Sequence, residues 1–207
     1  LHSSARPVSA QPRPASAPAA PVKTDVPDIS DVVTKAIAGL SDRKVQFTYA
    51  DLLARTELLR CAAQSASLAL AGSCAGFEAL RPDAAAPELA YAEFLQGQRL
   101  TAAQVAVLPP PQRAVAQRLA GTASGGDAAA MLVAVEDPLS RLVGAAALFQ
   151  AGQAGPAVVV LAVDTASAQG WRRPLIAWLT VQADQAQAAG DVDTAARARR
   201  RLAVVAP

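Results

Sequence analysis

The sequence predicts an all-α fold in which antiparallel helical hairpins stack as a short α-solenoid. Three observations carry this prediction. Hydrophobic residues make up 52% of the 207 residues, but aromatics only 4%, so the apolar fraction is dominated by alanine. Alanine is the least costly residue to place in a helix and lets helices approach closely, whereas strands draw on β-branched and aromatic residues. Second, prolines and glycines recur in a fixed order, proline just inside a helix start and glycine just past its end. Third, this punctuation repeats: Gly152 and Gly190 are 38 residues apart, and Pro138 and Pro174 are 36 apart. Periods near this length are typical of helix-pair repeats.

Residues 1–27 are rich in Pro, Ala and Ser and offer little to bury, which predicts a disordered spacer ahead of a helical domain over 28–207. The chain opens at Leu1 without methionine, and the expectation is either a removed natural leader or an artificial boundary. A membrane is expected to be reached only through a removed N-terminal anchor, because no stretch approaches the ~18 apolar residues needed to span a bilayer.

Each helix then has its own signals. "PDISDVVTKAIAGL" has Asp28 or Ser30 as N-cap and Gly39 near its stop. "FTYADLLARTELLRCAAQSASLALAG" starts with Thr48 and Asp51 at capping-box spacing and closes at Gly72, with Leu52, Leu53, Leu59 and Leu70 on one broad apolar face. "APELAYAEFLQG" places Pro87 in the first turn and Gly97 past the end. "LTAAQVAVL" pairs Thr101 with Gln104 as a capping box before Pro109–Pro111 interrupts the chain. "PQRAVAQRLAG" stops at Gly121, and "TASGGD" reads as the one flexible loop inside the domain. Asp137 and Pro138 open a helix that stops at Gly152, Pro156 opens one that ends at Gly170, Pro174 begins the next, and Asp191 caps the last.

The valine run from Ala157 fits the helix that Pro156 opens. A rival reading keeps it, and "MLVAVED" at Met131–Asp137, as strands of a small α/β enzyme with Asp137 and Asp164 at strand ends. The composition weighs against catalysis. Histidine occurs once, as His2 in the spacer, so neither serine nor cysteine has a histidine base within 28–207. Glu136–Asp137 and Asp191–Asp193 lie where helices start and read as caps. The glycines of "GTASGGDAAAM" lack the lysine of a phosphate loop. The sequence therefore predicts no catalytic residues, no metal and no cofactor.

Cys61 and Cys74 are the only cysteines, too few for a zinc site, and form a candidate disulfide if the chain turns back after the helix that carries Cys61. "GWRRPLIAWL" supplies both tryptophans. Trp171, Arg172 and Arg173 are the candidate partner-binding residues, because Trp and Arg anchor interfaces. Trp178 is expected in the core. Arg197, Arg199, Arg200 and Arg201 cluster on the final helix, where cations complement the helix dipole.

The stretch over about 137–204 resembles the tetratricopeptide repeat. Ala147, Gly152, Ala157 and Leu161 stand at the family's small, turn, small and large positions, and Ala183, Gly190 and Ala195 follow in the next unit. The first-helix aromatics are mostly missing, and Asp164 and Arg199 fall where the family has apolar or small residues. The resemblance implies recognition of a protein partner along a preformed groove. A second stretch, "AIAGLSDRKVQFTYADLLART" (Ala36–Thr56), resembles conjugative relaxase–helicase proteins, without their histidine cluster or phosphate loop. The expectation there is a shared amphipathic pattern.

These readings combine into a non-catalytic interaction scaffold, an accessory of a bacterial envelope machine for secretion, pilus or envelope assembly, periplasmic or tethered to the membrane. Its expected partner is a protein, not a nucleic acid. Two alternatives stay open: the small α/β enzyme, and a nucleic-acid-associated module of a conjugation system.

Overall fold

A computed structural model describes residues 49–69, 74–122 and 127–206. Ten α-helices follow one another among these residues, and there is no strand. They are α1 (Tyr49–Ala66), α2 (Ala75–Glu78), α3 (Ala86–Leu95), α4 (Ala102–Val107), α5 (Pro110–Leu119), α6 (Ala128–Val133), α7 (Pro138–Gln150), α8 (Pro156–Ala168), α9 (Arg172–Ala188) and α10 (Val192–Val205). A 3-10 turn, Arg81–Asp83, joins α2 to α3. The expected spacer over 1–27, the helix ending at Gly39 and Thr48 lie outside the described residues. No helix among the described residues is long and apolar enough to cross a membrane.

Helix α7 lies at the centre. Seven consecutive residues, Leu142–Leu148, are buried, and α1, α3, α5, α6 and α8 all pack against it. A helix buried on every side has no polar face, and here the run is mostly Gly144, Ala145, Ala146 and Ala147. Small side chains let neighbouring axes come close. Gly144 is the tightest point: a Cβ there would stand 2.8 Å from Leu132 Cδ2 and 3.1 Å from Val115 Cγ2. Leu132 and Val115 are themselves fully buried and have no room to swing away.

The same closeness explains a correction on α1. Its buried face is Ala54, Leu58, Cys61, Ala62, Ser65 and Ala66, spaced as one helical stripe. The expected leucine face is not the core face: Leu52 is 53% exposed, Leu53 38% and Leu59 65%. The buried stripe is mostly small residues, with Leu58 the one large side chain in it. The helix also ends at Ala66, six residues before Gly72. Leu68 adopts a left-handed φ of 55° and its N–H bonds to the Ser65 carbonyl at 2.8 Å. The Ala66 carbonyl accepts from Trp178 Nε1 at 3.0 Å. Trp178 is fully buried, edge-on to Phe149 at 5.9 Å, which places it in the core as expected.

The C-terminal helices follow their punctuation. Asp137 Oδ2 accepts from the Ser140 N–H at 2.7 Å, with Pro138 in the first turn of α7. Pro156 opens α8, so the valine run is helical, with Val158, Val159 and Val163 buried and Asp164 exposed in mid-helix. The α/β rival fails on these positions: Asp137 is an N-cap, Asp164 sits in a helix, and no strand exists among the described residues. Helix α9 starts at Arg172, with Trp171 as N-cap, and Pro174 follows as its third residue. Asp191 Oδ1 accepts from the Thr194 N–H at 3.0 Å, and that bond holds its carboxyl below the ordinary range. Helices α8 and α9, and then α9 and α10, pack as consecutive hairpins. Two helices went unforeseen: the single turn of α2, and α6, whose N-cap Asp127 accepts at Oδ1 from Ala129 N–H at 3.0 Å.

Gly97 is needed twice. It has a φ of +67°, and a Cβ there would lie 2.8 Å from the Ala147 carbonyl. Its turn brings α3 against the end of α7, where Gln150 Nε2 donates to the Leu95 carbonyl.

Cys61, fully buried in α1, is joined to Cys74 at the start of α2, with the Cα atoms 5.0 Å apart. The bond closes a loop of 13 residues' separation, and removing it is expected to cost about 3 kcal/mol by chain entropy. Denaturant unfolding of the oxidised chain and of the Cys61→Ala/Cys74→Ala variant will measure this. Equal midpoints would show that the bridge does not hold α2 to α1.

Candidate functional site

The three residues singled out for partner binding meet at one groove. It opens where α8 turns into α9, has a volume of about 510 Å³, and is walled by Ala63 and Ala66 of α1, Leu139 of α7 and Gly170 to Pro174. Trp171 is half-buried and packs against the edge of the core. Its extended backbone at the N-cap position starts α9.

The two arginines divide. Arg172 Nε donates to the Val205 carbonyl at 2.6 Å, tying the end of α10 to the start of α9. Arg173 is exposed and has no hydrogen bond or ion pair among the described residues. Both sit in the first turn of α9, which contains no acid. The positive end of a helix dipole ordinarily attracts carboxylates, so two guanidiniums there concentrate positive potential beside an apolar ring. Such a groove can hold an apolar side chain and pair an acidic group next to it. The four arginines of α10 are more dispersed: Arg199 Nη1 reaches Gln187 Oε1 at 3.3 Å, and Arg197 lies close enough to Asp191 to help lower its pKa.

A second concave site escaped the sequence reading. Leu58 and Leu59 of α1, Pro87, Glu88 and Tyr91 of α3, and Val107 at the end of α4 enclose about 300 Å³, with Arg55 and Pro109 at the edges. Glu88 is 4% exposed, its Oε1 2.7 Å from Arg55 Nε. Glu88 Oε2 is buried with no hydrogen-bond partner. "APELAYAEFLQG" gives no hint of a buried acid, since a first-turn glutamate ordinarily faces water. The exposed leucines of α1 were the available signal. No group of three or more His, Cys, Asp or Glu that could hold a metal ion occurs among the described residues.

No family model matches the chain, and no solved structure matches it. Over 36 residues the chain is 67% identical to the multifunctional conjugation protein TraI of Escherichia coli strain K12, and the same holds for a second Escherichia coli TraI. The matched stretch is 17% of this chain, and the chain covers 2% of the length of these curated relatives. An amphipathic pattern sets the class of a residue, not its identity. The likeness to conjugation proteins is therefore closer than the shared pattern expected from sequence.

Burial, with a smaller contribution from the Asp137 carboxylate, pushes the Tyr91 phenol up to about 12. Its unfolded value is about 10. Because the folded value is raised, Tyr91's contribution to stability is fully present below pH ~10 and is lost as pH rises through about 12. Absorbance titration at the tyrosinate band should show one late step that Tyr91→Phe removes; a Tyr91 step near the unfolded value would contradict the burial.

Proposed function

We propose that the chain is a non-catalytic protein–protein interaction module, an accessory of a conjugation or secretion machine of the bacterial cell envelope. The observation that carries the reading is the groove at the start of α9, where Trp171, Arg172 and Arg173 share one wall. A half-buried tryptophan flanked by guanidiniums on a rigid helical frame is a typical interface anchor. The C-terminal hairpins, with their tetratricopeptide-like spacing, would present this groove as part of a short solenoid. The partner segment is read as an apolar side chain followed by an acidic residue, the chemistry complementary to Trp171 and Arg173.

Other observations support the setting. The likeness to TraI over 36 residues supports a role beside a conjugation system. The Cys61–Cys74 bond suits an oxidising compartment such as the periplasm. Absence of histidine beyond His2 removes the usual bases for nucleophilic catalysis within the helical region.

Purified components of a conjugation apparatus, TraI among them, should be presented singly to the full chain by interferometry. One component is expected to bind, and Trp171→Ala should weaken it by about 2 kcal/mol, roughly thirtyfold in Kd. Binding that ignores Trp171→Ala and Arg173→Glu would move the interface elsewhere. Retention by single-stranded DNA that collapses between low and moderate salt would replace this reading with a nucleic-acid module.

A further inference from the structure

Helix α10 has an inner face and an open one. Ala195, Ala198, Leu202 and Val205 turn inward, and among the described residues α9 is the helix that packs on them. The outward side carries Val192 and Val204, 65% and 85% exposed. No large hydrophobic among the described residues is more open to water than Val204.

The charge around these valines has one sign. Residues 194–206 hold Arg197, Arg199, Arg200 and Arg201 and no acid. Residues 172–183 beside them add Arg172 and Arg173, again with no acid. Arg172 reaches the Val205 carbonyl, which puts it one helical turn from Arg201. The Val205 carbonyl and the Gln187 amide that Arg199 meets are both neutral, so neither guanidinium is cancelled. The whole chain is only +2, so six arginines gathered here leave the remainder net negative. The helix dipole does not account for the four on α10. It acts within the last turn, and the last turn of α10 has no basic residue. Crowded like charges repel, and a partner of opposite sign would relieve them.

The pattern narrows that partner. Asp193, Arg197, Arg200 and Val204, all exposed, follow one another at i, i+4, i+7 and i+11 as a single row along the open side. A bilayer of anionic lipid or a nucleic-acid strand is negative throughout and would meet the Asp193 carboxylate with like charge. A second copy of the same face would set arginine against arginine. A polypeptide can place an acid opposite each arginine, an apolar residue opposite each valine and no acid opposite Asp193. The row spans about 17 Å at ~1.5 Å per residue, three helical turns. A helix laid along it would extend the stack in which α8, α9 and α10 already pack as consecutive hairpins.

We propose that the outer face of α10 docks an acidic amphipathic helix of a partner protein, its apolar residues on Val192 and Val204 and its carboxylates on Arg197, Arg200 and Arg201. The surface is separate from the Trp171 groove, so the two readings hold or fail separately.

The test is an NMR titration of the full, oxidised chain with a capped peptide of three Leu-Ala-Glu-Glu-Leu-Glu-Ala repeats, whose leucines recur at i, i+4 and i+7. A lysine-for-glutamate twin, a twin broken by two central prolines, phosphatidylglycerol vesicles and a single-stranded DNA oligonucleotide are titrated beside it. The acidic helix should shift the amides of residues 192–204, with or without Trp171→Ala. Arg200→Glu should weaken it about tenfold, since like charges then face each other, and Val204→Ser severalfold. Both side chains are exposed, so the thermal midpoint should hold. No shift in α10, binding of the lysine or proline twin as tight as that of the acidic helix, or stronger perturbation of α10 by the vesicles or the DNA would each overturn the proposal.

Discussion

Everything described here is arranged around the burial of α7. A helix packed on every side must present small residues where neighbours cross, and Gly144 to Ala147 do so. This constraint passes outward. Helix α1 meets the core with Ala54, Leu58, Cys61, Ala62 and Ala66 and turns Leu52, Leu53 and Leu59 to solvent. Because Gly97 brings the α3 turn against the Ala147 carbonyl, that turn cannot carry a side chain. Both grooves are by-products. The Trp171 groove is lined by the small residues Ala63 and Ala66 of α1, and the Glu88 groove by the buried Leu58 and the exposed Leu59.

A fold of short helices has many helix ends, and each leaves carbonyls without partners. Here long side chains from other elements close them. Trp178 reaches Ala66, Arg141 reaches Val135 at 2.7 Å, Arg113 reaches Leu108 at 2.9 Å, Gln185 reaches Ala154 at 3.0 Å, and Arg172 reaches Val205. These bonds are individually modest, but a buried carbonyl without them would be expensive. They also explain how a chain so poor in aromatics fixes the relative positions of its helices: polar stitches supply the specificity that alanine packing lacks. The closure is incomplete for side chains: Glu88 Oε2, Gln64 Oε1, Gln112 Oε1 and Gln185 Oε1 are buried acceptors without a hydrogen-bond partner.

Local signals were legible in the sequence because they act locally. Asp137, Asp191 and Thr101 cap where their spacing says, since a cap needs only the next turn of its own chain. Gly152, Gly170 and Gly190 stop helices for the same reason, all at positive φ. Which face of α1 is buried was illegible, because leucine count favours one face and the width of α7, nearly a hundred residues later, decides for another. Helix α6 was missed because three alanines after Asp127 look like the end of a Gly-rich loop. The site divides in the same way. Trp171, Arg172 and Arg173 share a groove because they are consecutive, whereas the Glu88 groove joins three helices that no sequence pattern relates.

The functional reading rests on that frame being rigid, since preformed grooves bind without an ordering cost. Native-state hydrogen exchange across α7 tests this most directly. If α7 is the common core, the amides of Leu142 to Leu148 will exchange only through global unfolding, with the protection of the whole domain and the full denaturant dependence. Exchange of these amides through local opening, while α9 and α10 stay protected, would contradict the account and leave the C-terminal hairpin as the stable unit instead.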